Sequence, residues 1–330
     1  MPHFCGGLTM FKCASFFAGV GGIDLGFEQA GFTTIYANEF DDYAADTFEY
    51  NYGLKVDRRD INEVPTDEIP DFDIMLAGFP CQAFSIAGYR QGFDDEKGRG
   101  NLFFQLVRII KEKQDKGVAP RVCFFENVKN LVSHDNGNTF RVICEQLNDL
   151  GYKYTYQVMN ACDYGNIPQN RERIYIIAFR DKEDYANYIQ PLPIPLTKTI
   201  RDVIEFDKEV DEKYYYKPST CCFYDKLETE MKNPNTIYQW RRVYVRENKS
   251  NLVPTLTANM GTGGHNVPLI LSSDGKIRKL TPQECFWVQG FPKSFKLPKQ
   301  ANGRLYKQAG NSVVVPVINR IAVEIRNAIQ

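Results

Sequence analysis

A cysteine in surroundings that suit a nucleophile lies in the segment AGFPCQAFSIAG (77–88). Cys81 directly follows Pro80 and an apolar run of strand length, DIMLAGF (73–79). The carboxyl ends of strands border the ligand crevice of an α/β sheet, and a thiol there is available for covalent catalysis. The next twenty residues, to Asn101, are polar and glycine-rich, which indicates a functional loop. The other cysteines lack the spacing of a metal site or a disulfide framework, so we predict no metal and free thiols in a reducing cytoplasm.

An acid and a pair of cations follow further along the chain. Glu126 lies near the end of the apolar run VCFFENV (122–128), after two phenylalanines. Apolar neighbours disfavour the charged carboxylate, which raises its pKa and lets it hold a proton near neutral pH. Arg171 and Arg173 lie two residues apart in QNRERIY (169–175), so we expect them on one side of a strand. Two aligned guanidinium groups suit a phosphate, a carbonyl oxygen or a carboxylate.

A glycine-rich turn joins the first strand to the first helix. Its glycines are Gly19, Gly21 and Gly22. Such a turn lets the backbone approach a ligand closely, but Asp24 occupies the position of the third glycine of a pyrophosphate-binding loop. Glu39 lies twenty residues after Gly19, where an acidic side chain reaches a ribose hydroxyl pair. These features predict a nucleoside cofactor without a pyrophosphate, and S-adenosylmethionine fits.

The elements that must position these residues alternate between strand and helix in the first half of the chain. Apolar runs of strand length occur at 11–17, 33–40, 73–79, 122–128 and 173–179, and helical spacing occurs at 23–30, 102–113 and 139–150. This alternation predicts an α/β fold, namely a Rossmann-like parallel sheet. After a proline-rich stretch the pattern changes to short polar segments, and a last helix is predicted at 313–329. We therefore expect a catalytic and cofactor-binding domain at 1–196 plus 306–330, and a smaller, mainly β domain at 197–305.

Composition and charge narrow the function classes. Of 330 residues, 43% are hydrophobic and the net charge is −1, which excludes wholesale disorder, and no apolar stretch is long enough for a membrane span. The charges are unevenly distributed, because 24–73 is strongly acidic and 276–307 is strongly basic. A neutral total can therefore conceal a basic face for nucleic acid, and we expect the basic stretch to supply phosphate contacts.

Taken together and in this order, the motifs resemble those of the bacterial DNA (cytosine-5) methyltransferases of restriction–modification systems. The resemblance covers nearly the whole chain. It rests on FAGVGG, Glu39, Asp60-Ile61, GFPCQAFS, Glu126-Asn127-Val128, QNRER, RKLTPQECFWVQGFP (278–292) and QAGNSVV (308–314). In the second-last of these, Gln283 and Trp287 stand where the family usually has arginines, which puts the packing of that segment in question.

The resemblance implies a mechanism and a set of cofactor contacts. A flipped-out cytosine is attacked at carbon 6 by Cys81, Glu126 hydrogen-bonds ring nitrogen 3, Arg173 binds the base carbonyl oxygen and Arg171 binds the adjacent phosphate. Carbon 5 then takes a methyl group from S-adenosylmethionine. The implied cofactor-binding residues are Phe17, Gly19, Gly21, Gly22, Glu39, Phe40, Asp60, Ile61, Pro80, Leu102 and Asn311.

The same resemblance implies that 197–305 reads a short duplex DNA sequence. The expected DNA-binding residues are Ser85, Gln239, Arg242 and Thr255. Arginine is the commonest reader of guanine. Glutamine has both a donor and an acceptor, so we expect Gln239, on a loop, to fill the hole that the flipped base leaves. We further expect a cytoplasmic monomer that is paired functionally, without a stable complex, with a restriction endonuclease.

Three alternatives remain open from the sequence. A tRNA cytosine-5 methyltransferase would carry the same motifs, although the long variable region favours DNA. A catalytically silent DNA-binding regulator could keep the fold, but the intact Cys81, Glu126 and Arg173 argue against it. A nicotinamide-dependent oxidoreductase is disfavoured by Asp24.

Overall fold

The computed structural model describes residues 10–79, 102–261 and 266–330. The strands are β1 Lys12–Phe16, β2 Thr33–Asn38, β3 Ile74–Ala77, β4 Val122–Val128, β5 Lys153–Asn160, β6 Gln169–Asn170, β7 Glu172–Phe179, β8 Tyr238–Arg241, β9 Tyr244–Glu247, β10 Val253–Pro254, β11 Leu269–Leu271 and β12 Ile277–Lys279. The α-helices are α1 Gly22–Gln29, α2 Asp42–Tyr52, α3 Leu102–Asp115, α4 Asn138–Asp149, α5 Ala161–Tyr164, α6 Lys182–Asn187, α7 Ile200–Val203, α8 Tyr224–Glu230, α9 Pro282–Val288, α10 Asn302–Asn311 and α11 Val315–Ile329.

The main sheet has the strand order β2-β1-β3-β4-β7-β5. The four strands from β2 to β4 are parallel, as predicted, and β7 is antiparallel to both β4 and β5, so the Rossmann-like sheet is mixed at this edge. The reason is the connection 161–171 between β5 and β7, which is shorter than the dozen or more residues that a parallel crossover requires.

Helices cover both faces of this sheet, which gives three layers with a hydrophobic core on each side. One core packs α1 and α11 against the sheet, with Phe27, Phe124 and Ile318 fully buried. The other packs α3 and α4 on the opposite face, with Ile109 and Ile143 fully buried. In the described parts of the chain no helix is long and apolar enough to cross a membrane.

The final helix returns to the beginning of the chain. Helix α11 buries Ile318, Ile321 and Ile325 against α1. A Cβ on Gly26 of α1 would lie 2.6 Å from Ile318, so the two helices meet where only glycine leaves enough space. This packing places the segment before α11 at the carboxyl edge of the first strands.

A second, antiparallel sheet has the order β12-β11-β8-β9 and belongs to the second half of the chain. Its small core includes Trp240, which stacks on Phe223 with ring centroids 4.1 Å apart. The hairpin β8–β9 forms one edge of this sheet and has an exposed turn. Strand β10 is not part of this second sheet. It pairs in parallel with β6, which directly precedes β7 of the main sheet.

Candidate functional site

A cavity of about 360 Å³ lies at the carboxyl ends of the parallel strands, where ligand crevices of α/β sheets form. Residues from the glycine turn, from the end of β4, from the region of β6 and β7 and from the end of α10 line this cavity. It brings together eight of the predicted site residues, which are Phe17, Gly19, Gly22, Glu39, Glu126, Arg171, Arg173 and Asn311.

The glycine turn is shaped by packing as much as by ligand access. Gly21 has φ +81°, and a Cβ there would lie 2.4 Å from the ring of Tyr52, whose hydroxyl donates to the Gly21 carbonyl at 2.5 Å. Phe17 also has a left-handed backbone, with φ 55°, which is uncommon for a bulky residue. Strained backbone concentrates at ligand sites, and Phe17 lines the cavity.

Glu39 closes the turn from the end of β2. Its carboxylate accepts hydrogen bonds from the backbone nitrogens of Gly19, at 2.8 Å, and Asp41, at 2.7 Å. Burial nevertheless raises the pKa of Glu39 above its ordinary value. Each carboxylate oxygen keeps a second acceptor position, so the group can still bind hydroxyl donors in the cavity.

Glu126 and Arg173 face each other across the pairing of β4 and β7. The Nε of Arg173 lies 3.1 Å from Oε1 of Glu126, and both side chains are mostly buried. Burial raises the pKa of Glu126, and the charge of Arg173 opposes that rise. The neighbouring Asn127 donates from Nδ2 to the Phe79 carbonyl at 2.9 Å, which fixes the chain just before the segment that contains Cys81. The arrangement holds an acid and a guanidinium in the cavity wall.

Arg171 does not have the environment of a phosphate-binding residue. Its side chain is buried, and its guanidinium donates to the carbonyls of Leu256 at 2.7 Å, Gly310 at 3.0 Å and Ser312 at 2.5 Å. Burial lowers the pKa of Arg171 to about 9. The predicted phosphate contact is therefore wrong, because protein carbonyls already occupy the outer nitrogens of the group.

Several predicted cofactor residues lie away from the cavity wall or outside the described residues. Gly21, Phe40, Asp60, Ile61 and Leu102 do not line the cavity. Ile61 is buried in the hydrophobic core, while Phe40 is 70% exposed, next to Glu39. The predicted residues Pro80, Cys81 and Ser85 lie outside the described residues.

The structure adds wall residues that sequence reasoning missed. Ser312 lines the cavity, and its buried Oγ has no hydrogen-bond partner among the described residues. Lys307 also lines the cavity and pairs with Asp41, the N-cap of α2, at 2.6 Å. Ser312 lies inside the QAGNSVV motif, beside Asn311, so the motif could have predicted that Ser312 lines the cavity. For Lys307 the sequence offered only its charge, which does not predict this position.

The predicted DNA-binding residues of the second half lie in different structural settings. Gln239 lies inside β8, which is flanked by β9 and β11, and its Oε1 accepts from Arg241 at 3.0 Å. The expectation that Gln239 is carried on a loop is therefore wrong, while its expected role as the filler of the base hole stays a prediction. Arg242 lies in the exposed turn of the hairpin, with φ 58°. Thr255 is exposed and donates from Oγ1 to the Asn170 carbonyl at 2.6 Å.

The basic stretch 276–307 does not form one free cationic face. Arg278 is fully buried in an ion pair with Glu284 at 2.8 Å, and Arg304 lies over the ring of Tyr43 at 4.4 Å. Lys307 binds Asp41, so part of the basic stretch packs on the acidic segment that begins α2. These contacts engage three cations of the stretch, and the expected phosphate contacts of its other cations stay a prediction.

The two departures from the family motif leave that segment folded. Gln283 donates to the Phe295 carbonyl at 3.3 Å. Trp287 has Lys293 5.2 Å above its ring, and its buried Nε1 has no partner among the described residues. Both residues belong to α9, a helix whose N-terminus is capped by a capping box of Thr281 and Glu284.

Comparisons with known proteins show the family of the chain. A family model described as C-5 cytosine-specific DNA methylase matches residues 11–327. The chain is 59% identical to the Type II methyltransferase M.Bsp6I of Bacillus sp. (strain RFL6), over 96% of this chain and 98% of that protein. It is 40% identical to the Type II methyltransferase M.HhaI of Haemophilus parahaemolyticus, over 98% of this chain and 96% of that protein.

Solved structures show the same fold. A mutant DNMT2 from Spodoptera frugiperda superposes with a TM-score of 0.72 at 19% identity, over 96% of this chain and 99% of that chain. The match of the family model over almost the whole chain, together with the motifs gathered in one cavity, leads to one conclusion. This chain belongs to the C-5 cytosine-specific DNA methylase family and is a DNA (cytosine-5) methyltransferase.

Proposed function

We propose that the chain transfers a methyl group from S-adenosylmethionine to carbon 5 of a flipped-out cytosine in a short, specific duplex sequence. The observation that carries this proposal is that a single cavity has two differently equipped walls. One wall holds the glycine turn and Glu39, which suit a nucleoside. The other holds Glu126 and Arg173, which suit a pyrimidine base. A methyl donor and its acceptor must meet in one such space.

The residues of the first wall fit S-adenosylmethionine. Glu39 offers acceptors for ribose hydroxyls, and the buried, unpartnered Oγ of Ser312 offers a donor for a carboxylate. A Cβ on Gly19 would meet no atom within 4 Å, so the turn is open towards the cavity that it lines. When bound, this cofactor supplies the electrophilic methyl group. Gly19, Gly22, Glu39, Asn311 and Ser312 are the residues that would hold it.

The residues of the second wall handle the base. Glu126 has a raised pKa because it is buried, so it can carry a proton to ring nitrogen 3. Arg173 holds Glu126 in place through Nε and donates from Nη1 to the Glu172 carbonyl, and we assign its Nη2 to the base carbonyl oxygen. Cys81 attacks carbon 6, which makes carbon 5 nucleophilic, and loss of the carbon 5 proton later expels the thiolate. Asn127 supports this step by fixing the Phe79 carbonyl two residues before Cys81.

The second half of the chain is the proposed DNA reader. We place the catalytic domain at 1–196 plus 306–330 and the recognition domain at 197–305. Arg242 and Val243 form the exposed turn of the β8–β9 hairpin, which can reach a groove. The relatives named as Type II methyltransferases support a role as the modification enzyme of a restriction–modification pair. This role places the protein in the cytoplasm, and we propose a monomer that forms no stable complex with the endonuclease.

Transfer of labelled methyl groups tests the proposal. The purified protein is incubated with labelled S-adenosylmethionine and with duplex DNA of random sequence, the same DNA as single strands, or tRNA. We expect label in the duplex only, at carbon 5 of cytosine. Label in tRNA alone would support the tRNA alternative, and binding of duplex without label would support the silent regulator.

A further inference from the structure

One buried guanidinium joins two functionally different segments of the chain. Arg171 donates from Nη1 to the Leu256 carbonyl, which lies just after β10. Its Nη2 donates to the carbonyls of Gly310 and Ser312, the two neighbours of Asn311 in the cavity wall. The first segment belongs to the proposed recognition domain and the second to the proposed cofactor wall. No other cationic side chain in the described parts of the chain donates to carbonyls of both segments.

The backbones of the two segments are also in close contact. A Cβ on Gly310 would lie 2.2 Å from the carbonyl of Thr257, so backbone contacts backbone at this point. On its other side the recognition segment is held by the pairing of β10 with β6 and by the hydrogen bond from Thr255 to Asn170. A shift of the recognition segment is therefore transmitted directly to the chain around Asn311.

The hydrogen bonds of Arg171 cannot easily be exchanged for others. The side chain is 3% exposed, and among the described residues no carboxylate lies within ion-pair distance of it. The nearby Glu126 is paired with Arg173 instead. A buried cation without hydrogen-bonded partners is costly, so the three carbonyls must stay close to it. The guanidinium of Arg171 thereby holds both segments in fixed positions relative to each other.

We propose that Arg171 is a positioning residue that couples cofactor binding to DNA binding. A ligand that orders either segment also orders the other through the shared guanidinium, so each ligand raises the affinity for its counterpart. This proposal rests on the function proposed above. It replaces the phosphate contact that the sequence led us to expect for Arg171.

A binding cycle tests the coupling. The dissociation constant of S-adenosylhomocysteine, the unreactive product, is measured by calorimetry with and without saturating duplex that carries the methylated sequence. We expect duplex to tighten binding of the wild-type protein by about five-fold or more, the usual scale of coupling between sites. In Arg171→Met this factor should fall to about one, and in Arg171→Lys, which keeps a cation with three donors, it should fall only in part.

Arg320→Met is the matched control. Arg320 also donates to two backbone carbonyls, those of Tyr164 and Leu192, but it lies in α11 and does not line the cavity. This variant loses a similar set of hydrogen bonds, and we expect it to keep the full coupling factor. An equal loss of coupling in Arg320→Met and Arg171→Met would show that Arg171 has only a structural role.

Two further readouts keep the proposal falsifiable if Arg171→Met does not fold. In Arg171→Lys, backbone amides of both 253–258 and 308–313 should exchange hydrogen faster than in the wild-type protein. In Arg171→Gln, which removes the charge, the slope of log affinity for DNA against log salt should not change, whereas loss of a phosphate contact would reduce it by about 0.9. The proposal is overturned if hydrogen exchange is unchanged in either segment, or if the slope against log salt is reduced. It is also overturned if the coupling factor of the wild-type protein is one. Failure of the wild-type protein to bind either ligand instead overturns the proposed function.

Discussion

The acids of the cavity wall have protein partners, whereas the turn of the β8–β9 hairpin faces solvent. In the wall, Glu126 is paired with Arg173, and Glu39 accepts two backbone hydrogen bonds. In the hairpin, Arg242 and Val243 are exposed, and Val243 is 69% accessible. These acids are therefore preorganised by the protein itself, while the exposed hairpin turn is the part that we propose binds DNA. Changes in the wall should affect chemistry, and changes in the hairpin should affect DNA binding alone.

The largest expected effect follows loss of the nucleophile. Cys81→Ser should lower methyl transfer by about three orders of magnitude or more, because a hydroxyl is a much weaker nucleophile than a thiolate. Single-turnover transfer of labelled methyl groups measures it, and duplex affinity serves as the control for folding. Retention of more than about a tenth of the wild-type rate would contradict the role of Cys81.

Loss of the acid should have the next largest effect. Glu126→Gln should slow transfer by about 10²–10⁴-fold, because glutamine can hydrogen-bond the base but cannot readily supply a proton. Affinity for S-adenosylhomocysteine should stay at the wild-type value. If that affinity fell as much as the rate, Glu126 would belong to the cofactor wall, and the division of the cavity into two walls would be wrong.

A change in the hairpin should weaken DNA binding and spare the cofactor. Arg242→Gly removes the side chain but permits the φ of 58° that the turn requires. We expect specific duplex binding to weaken by about 1–3 kcal/mol, the scale of one bidentate base contact. Single-turnover methylation at saturating duplex should remain near the wild-type rate. Loss of that rate at saturation would show that the hairpin also acts on the chemistry.

Salt dependence should separate hairpin cations from those of the basic stretch. Arg246→Ala in β9 should reduce the slope of log affinity against log salt by about 0.9, as for one lost phosphate contact. Lys276→Ala is the matched control, because Lys276 is paired with Asp274 at 2.8 Å. We expect no change of slope for this control. A reduced slope for Lys276→Ala with an unchanged slope for Arg246→Ala would indicate that the stretch 276–307 binds the phosphates.

The last effect is on stability alone, and it arises behind the glycine turn, at a residue that does not line the cavity. Asp24 is fully buried behind the glycine turn, accepts from Ser15 and Thr34, and has its pKa raised by burial to about 7. The folded state binds this proton more tightly than the unfolded state. The stabilisation is therefore complete below about pH 4 and is lost as pH rises through 7.

Asp24→Asn should remove this pH dependence, because an amide does not ionise in this range. We expect the free energy of unfolding of the variant, relative to wild type, to increase between pH 4 and 7, by at most a few kcal/mol. Urea denaturation at several pH values measures the difference. Parallel curves for the two proteins would contradict the shifted pKa of Asp24.

The contrast between wall and hairpin also explains what the sequence could predict. The strands β1 to β4 and the helices α1, α3 and α4 were predicted within a few residues, because their apolar spacing is set by burial. The antiparallel direction of β7 was missed, since apolar spacing carries no information on strand direction. Strand β5 was missed because it is an edge strand with largely exposed side chains.

The site residues differ in the same way. Glu39 follows β2, Glu126 lies near the end of β4, and Arg173 lies at the start of the antiparallel strand β7, so all three meet at one edge of the sheet. Arg171 was misjudged because its partners are backbone carbonyls, which no side-chain pattern reveals. Gln239 was misplaced because the donor and acceptor of a glutamine side chain do not distinguish a strand from a loop.

Bisulfite sequencing of host DNA tests the central claim most directly. Genomic DNA is sequenced after expression of the wild-type protein, of Cys81→Ser, or of neither, in a host that lacks other cytosine methylation. We predict protected cytosines at one position of one short sequence with the wild-type protein and none with the variant. Absence of protection with the wild-type protein, or equal protection with Cys81→Ser, would contradict the account.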